Sequence, residues 1–233
     1  TEASFSVQNG QSGQGSVLAT RSGGPEVLVQ VAQVAGSVGG SKIDADNNAT
    51  VAAATSNSAA NGVSVDALGI ATTTAVQNLQ FSSAKVASVI GQEGAPLALQ
   101  GGVQVQLGGK GVTDSQLSVD GNTLHGSATG NAAANSIAVK GNDIAAASLL
   151  PVAGAANTTI LSGAIADHSL SNAQLAIGTA PISSKAAGAF GISTAAGMLV
   201  ADTTLSVSNN DQSAKAVANT AANDLSLQAA NVS

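Results

Sequence analysis

Cysteine, tryptophan and tyrosine are absent from this sequence of 233 residues, and it holds only four prolines. Without cysteine there can be no disulfides, thiolate zinc sites, iron–sulfur clusters or c-type haem attachment. The only aromatic residues are Phe5, Phe81 and Phe190. The apolar 44% is therefore mostly Ala, Val, Leu and Ile. These fill a narrow core, whereas thick sandwiches lean on large rings. Charge is scarce as well, at 9% against about 25% in an ordinary domain. Seven Lys and Arg against thirteen Asp and Glu give −6, with no basic cluster. That composition excludes a nucleic-acid partner bound through counterion release. Modest net charge with substantial apolar content also argues against disorder. No run of about 18 apolar residues exists, so no transmembrane helix is expected. No signal peptide is visible. The chain begins at Thr1 rather than Met, which fits a removed leader and a secreted protein.

What the chain does have is one segment in three copies. Residues 43–65 read IDADNNATVAAATSNSAANGVSV, residues 117–139 LSVDGNTLHGSATGNAAANSIAV, and residues 205–227 LSVSNNDQSAKAVANTAANDLSL. They align without gaps. Three Asn columns are identical throughout: Asn48, Asn122 and Asn210; Asn57, Asn131 and Asn219; Asn61, Asn135 and Asn223. Three Ala columns also match, at 54/128/216, 59/133/221 and 60/134/222. Such self-similarity marks a repeat array, here one array over residues 1–233. The copies start 74 and then 88 residues apart. The extra length of the last interval is assigned to a loop or insertion at 178–199, where Pro181, Gly188, Phe190, Gly191 and Gly197 fall.

The register also runs through the chain ends. Val152 follows Ile144 by eight residues; counted into a second chain, Val7 follows Val232 by the same eight. Val7-Gln8-Asn9 echoes Val76-Gln77-Asn78. Written head to tail, the chain restarts copy one 71 residues after copy three. The junction between molecules would then imitate the junction between repeats.

Short alternating runs predict strands: Val27-Leu28-Val29-Gln30-Val31, Val103-Gln104-Val105-Gln106-Leu107, Leu117-Ser118-Val119 and Leu205-Ser206-Val207. The 27 glycines and dipeptides such as Asn61-Gly62 and Asp120-Gly121 supply turns. Ala84–Ile90 and Ala214–Ala222 have helical propensity, but Asn, Ser, Thr and Gly interrupt every Ala run. The expected fold is all-β, a β-solenoid-like array with about 20–25 residues per coil and hence three or four coils per repeat. The alternative is a string of Ig-like β-sandwiches exchanging strands, which the lack of Trp and Tyr disfavours. The paired Asn residues read either as turn residues or as stacked amide ladders. With several coils per repeat the copies could not touch, and Asn47 or Asn78 would have to fill the rungs between them.

Catalytic and metal patterns are missing. Asp167-His168-Ser169 is adjacent in sequence, which is the wrong geometry for a relay, and His125 is the only other histidine. Gly108-Gly109-Lys110-Gly111 lacks the spacing of a phosphate loop. Asp44-Ala45-Asp46-Asn47 starts like a calcium loop but lacks its Gly and its downstream Glu. Asn48, Asn157 and Asn231 fit the glycan-acceptor pattern, expected by chance in so Asn- and Ser-rich a chain. No cofactor, metal or enzymatic role is expected.

The segments SNSAANGVSV, GNAAANSIAV and NTAANDLSL resemble the repeats of large secreted proteobacterial β-strand-repeat proteins. They are also similar in character to the functional amyloids of biofilms. Both resemblances imply an extracellular fibre or adhesin. The expected function is a filament subunit, with residues 205–233 completed by residues 1–35 of the next copy. The rival reading is a passive stalk or adhesin segment of a longer polypeptide. Self is the expected partner, and a surface or matrix polysaccharide is the other partner class considered.

Overall fold

A computed structural model describes residues 5–21, 24–25, 27–31, 36–70, 74–91, 101–144 and 168–232. Among them there are strands and no helix. The chain winds three times around one axis. Coil 1 runs β1 (Phe5–Gly13), β2 (Ser16–Arg21), β3 (Val27–Val31), β4 (Ser37–Gly39), β5 (Lys42–Asp44), β6 (Ala49–Asp66) and the short β7 (Gly69–Ile70). Coil 2 runs β8 (Thr74–Ser82), β9 (Lys85–Ile90), β10 (Gly101–Leu107), β11 (Gly111–Thr113), β12 (Gln116–Asp120) and β13 (Thr123–Ile144). Coil 3 runs β14 (His168–Ala176), β15 (Ile182–Ala186), β16 (Gly188–Thr194), β17 (Leu199–Ala201), β18 (Thr204–Ser208) and β19 (Asp211–Val232).

Each coil-2 strand lies between its coil-1 and coil-3 equivalents, as in β1-β8-β14 and β6-β13-β19. Every pairing is parallel and in register. This is the expected β-solenoid-like array. The antiparallel pairing that an Ig-like sandwich requires is absent among the described residues.

Several expectations need correction. One repeat is one coil, not three or four, because six strands and their corners consume a whole repeat in a single circuit. The segment 178–199 is no insertion: it contributes β15, β16 and β17, paired with β9, β10 and β11. The surplus lies earlier, at 145–167, which fall outside the described residues; coil 1 makes the equivalent step in residues 71–73. Val152 lies in that stretch too. The residue equivalent to Val7 and Val76 in coil 3 is Leu170. Coil 3 therefore has its own first half, and β19 is in line with β6 rather than with residues 1–35.

The corners use left-handed backbone in columns. Asn47, Gly121 and Asn209 have φ of 56°, 65° and 50°, and Gly40, Asp114 and Asp202 have 63°, 51° and 51°. Gly, Asn and Asp are the residues that adopt this region at least cost, so mixed chemistry serves one geometry. The cross-section has two lobes. In one, β10, β11 and β12 enclose Val103, Val105, Val112, Leu117 and Val119. In the other, the long sheet β6-β13-β19 packs against the sheets of β8 and β9. Its core has an Ile70, Val76, Ile137, Val139 and Ile144 cluster and an Ala54, Ala84, Val86 and Ala128 cluster. Burying each Val or Ile contributes about 1.5–3 kcal/mol, so small aliphatics suffice for a lobe only two layers thick.

Candidate functional site

Between those two apolar clusters runs a layer of stacked carboxamides. It exists because β13 changes phase. Buried side chains are even-numbered through Leu124 and Ala128, then odd-numbered from Asn131 through Val139. Gly130 stands out of the pairing at that step, between Thr129 and Asn131. The bend turns Asn131 and then Asn135 into the lobe, where they are fully buried. Parallel in-register stacking then puts the same amide above and below, about 4.8 Å apart.

Each Asn column forms a continuous ladder. Asn57 Nδ2 donates to Asn131 Oδ1 at 2.7 Å, and Asn131 Nδ2 to Asn219 Oδ1 at 2.7 Å. Asn61 Nδ2 donates to Asn135 Oδ1 at 2.9 Å, and Asn135 Nδ2 to Asn223 Oδ1 at 2.9 Å. Asn48 and Asn122 repeat the pattern to Asn122 and Asn210 at 2.8 Å each. The ladder reading of the Asn pairs therefore holds, and its supposed obstacle disappears: the copies are one coil apart and touch directly. The turn reading fails for the columns of Asn57 and Asn61, which lie inside long strands. The column of Asn48 is both ladder and corner. There Asn122 Oδ1 also accepts the Asn48 backbone N–H at 2.9 Å, and Asn122 Nδ2 donates to the Ala45 carbonyl at 2.8 Å.

A glutamine ladder was not foreseen. Gln80 Nε2 donates to Gln11 Oε1 and Gln174 Nε2 to Gln80 Oε1, both at 2.7 Å. Each Gln also donates across the lobe to its own coil, to the carbonyls of Ser58, Ala132 and Thr220 at 2.8 Å. The signal was available: Val7-Gln8-Asn9-Gly10-Gln11, Val76-Gln77-Asn78-Leu79-Gln80 and Leu170-Ser171-Asn172-Ala173-Gln174 share Asn-x-Gln. The Asn of this motif makes only a partial ladder. Asn78 Nδ2 donates to Asn172 Oδ1 at 3.2 Å, but Asn9 turns instead to Asn61 Oδ1 at 3.0 Å. Asn78 Oδ1 is left buried without a partner. Val7 packs against the Ile137 cluster, and Val232 pairs with Ile144 through backbone.

The histidines and the carboxylates of Asp44 and Asp46 are engaged in contacts within the array. His168 Nδ1 meets Thr74 Oγ1 at 2.7 Å and His125 Nδ1 meets Ser213 Oγ at 2.6 Å, each pair within one column. Asp46 Oδ1 accepts from Ser118 Oγ and from the Asp120 backbone N–H, both at 2.9 Å. Asp44 pairs with Lys42 at 2.6 Å; that hydrogen bond, together with the carboxylate charge, holds the exposed ammonium above its usual pKa. Gly109 makes a corner at φ 105° between β10 and β11. Among the described residues no three His, Asp or Glu side chains gather as metal ligands, and no helix is long and apolar enough to cross a membrane. Comparisons with protein-family models, curated proteins and solved structures gave no match.

Proposed function

We propose that this protein is a structural subunit of a bacterial extracellular filament, with coil 3 of one copy stacked on coil 1 of the next. One observation carries the reading. Leu117, Val119, Ile137 and Val139 of coil 2 are at most 1% exposed, while their coil-3 equivalents Leu205, Val207, Leu225 and Leu227 are 43–48% exposed. A further coil on that face would bury them, contributing about 1–2 kcal/mol per side chain. It would also pair the outward N–H and C=O groups of β14–β19, which have no strand beyond them among the described residues. In continued register β19 meets β6, and β14 to β16 meet β1 to β3.

Charge placement supports the same register. Among the described residues Asp224 would stand over Gly62, Lys215 over Ala53, and Asp66 against Gln228, so no like charges meet within a column. The resemblance of the Asn-Ala-Ala-Asn segments to secreted proteobacterial repeats and biofilm fibres supports a filament outside the cell. A biofilm matrix or surface fibre, with a structural rather than catalytic role, is the setting. A contact that repeats without closing gives a fibre.

Negative-stain electron microscopy and fibre diffraction of the purified chain test this. The expected result is unbranched filaments whose length rises with concentration, with a meridional reflection near about 4.8 Å. After denaturation, mass spectrometry should return the mass of one chain, which excludes a covalent junction. Monodisperse single particles up to the solubility limit would overturn the filament and leave the stalk reading.

A further inference from the structure

The Asn and Gln ladders run in opposite directions. In the three complete Asn columns every N–H points from a lower coil to the next higher one. In the Gln column every N–H points from the higher coil to the lower one. Backbone contacts fix the Asn48, Asn57 and Gln columns, and the Asn9 amide donating to Asn61 Oδ1 fixes the Asn61 column. Asn57 Nδ2 also reaches the Phe81 carbonyl at 2.7 Å, and the Gln amides reach the carbonyls of the long sheet. A flipped amide would set oxygen against oxygen. The end faces are therefore chemically unlike. Coil 3 presents Asn223 Nδ2 as a donor and Gln174 Oε1 as an acceptor. Coil 1 presents Asn57 Oδ1 as an acceptor, and the Gln11 amide N–H group as a donor.

We propose that these faces form a keyed junction admitting a second copy of this chain in one polarity, coil 3 on coil 1. The inference rests on the stacking reading and adds which atoms set the polarity. In that arrangement Asn219 donates to Asn57, Asn223 to Asn61, and Gln11 back to Gln174. All three ladders continue through the junction in their own directions. A copy turned over reverses strand direction and the order of strands around the coil, so its sheets and ladders do not continue.

The key predicts which substitutions break the junction, with any cost to the subunit read by thermal melting. Asn223→Asp keeps the oxygen that accepts from Asn135 and loses the outward donor. Gln11→Glu keeps the oxygen that accepts from Gln80, gives up the bond to the Ser58 carbonyl at the exposed edge of its own coil, and turns a second acceptor outward, toward Gln174 Oε1. Each variant leaves an acceptor, now charged, facing an acceptor at the junction, while the opposite face stays intact. A lost charge-bearing match of roughly 1.5–3 kcal/mol corresponds to about a tenfold to hundredfold rise in critical concentration.

The experiment measures sedimentation, thermal melting and electron micrographs for wild type, Asn223→Asp, Gln11→Glu and an equimolar mixture of the two. The expected result is wild-type filaments, two folded variants with at least about a tenfold higher critical concentration, and discrete heterodimers in the mixture. Those dimers would use the one intact junction. Homodimers from either variant alone would overturn the polarity, because they require like faces to meet. Unchanged critical concentrations for both variants would overturn the amide key while leaving stacking in place. Absence of wild-type filaments would instead remove the stacking reading itself. If Asn223→Asp melts well below wild type, Asn219→Asp on coil 3 replaces it, and if Gln11→Glu does, the critical concentrations of Asn223→Asp and Asn219→Asp decide the key.

Discussion

Replacing Asn131 by alanine should cost far more than the same change at Asn219, although the two occupy one column. Asn131 is fully buried and sits between two neighbours, accepting from Asn57 and donating to Asn219 at 2.7 Å each. Truncation removes two hydrogen bonds worth about 1 kcal/mol each net. Asn57 Nδ2 keeps the Phe81 carbonyl and the exposed Asn219 Oδ1 turns to water, but a void opens where the fully buried amide stood. The void adds about 1–2 kcal/mol, for a total of about 3–4 kcal/mol. Asn219→Ala loses the bond from Asn131 and a long one to the Gln174 carbonyl at 3.5 Å, on an exposed face where water replaces both, at about 1 kcal/mol. Urea unfolding followed by circular dichroism, below the assembly threshold, measures both. The double variant should show a coupling of about 1 kcal/mol. Equal costs within about 0.5 kcal/mol, with no coupling, would refute the ladder. The asparagines would then act as local strand residues, whose cost is the same in every coil.

Four further outcomes follow from the same geometry. Gly102 sits at φ 115° with the Ala189 backbone where a Cβ would go, so Gly102→Ala should lower stability by at least about 2–3 kcal/mol in the same unfolding assay. Asp202→Gly should be neutral or stabilising by about 0.5 kcal/mol, since Gly40 already fills that corner in coil 1 and relief of left-handed strain offsets chain entropy; a loss above about 1 kcal/mol would mean the carboxylate anchors the corner. Filaments of Gln11→Glu should return on acidification while wild type changes less. An acceptor facing the new carboxyl favours its neutral form and raises its pKa, and the neutral acid donates as the amide did, so assembly gains as pH falls through that pKa. Wild-type critical concentration should shift less than about twofold between low and high salt, because among the described residues no like charges share a junction column; a strong salt dependence would point to a different register.

The sequence made the array and its Asn columns visible, because both depend on identity at fixed offsets. It hid the perimeter of the coil. A period of 74 residues fits one large circuit or several small ones equally well, and only the corners decide between them. Those corners are occupied by Gly40, Asp114 and Asp202, three positions with shared φ but unlike side chains, so no alignment by identity selects them. The misplaced insertion has a related cause. Pro181 and the glycines of 178–199 looked like a loop, yet Gly188 opens β16 and sits against Leu124 and the Gly101 backbone, while Gly191 lies in open space within the same strand. Gly188 marks close packing rather than a break.

Parallel stacking also explains why some columns are identical and others drift. A carboxamide rung is satisfied only by another carboxamide of the same reach, which must both accept and donate at that height. Asn therefore recurs as Asn, and Gln11, Gln80 and Gln174 recur as Gln. An apolar rung asks only for similar volume, so Ile43, Leu117 and Leu205 share a column, as do Val63, Ile137 and Leu225. Left-handed corners ask only for a tolerated φ. Among polar positions, identity within one chain is thus strongest where a side chain must bond to a copy of itself. In a filament of identical subunits that demand crosses the molecular boundary, since the coil-3 amides would bond to those of another copy's coil 1. The identical carboxamide columns that form complete ladders are therefore those the proposed junction needs at both of its faces.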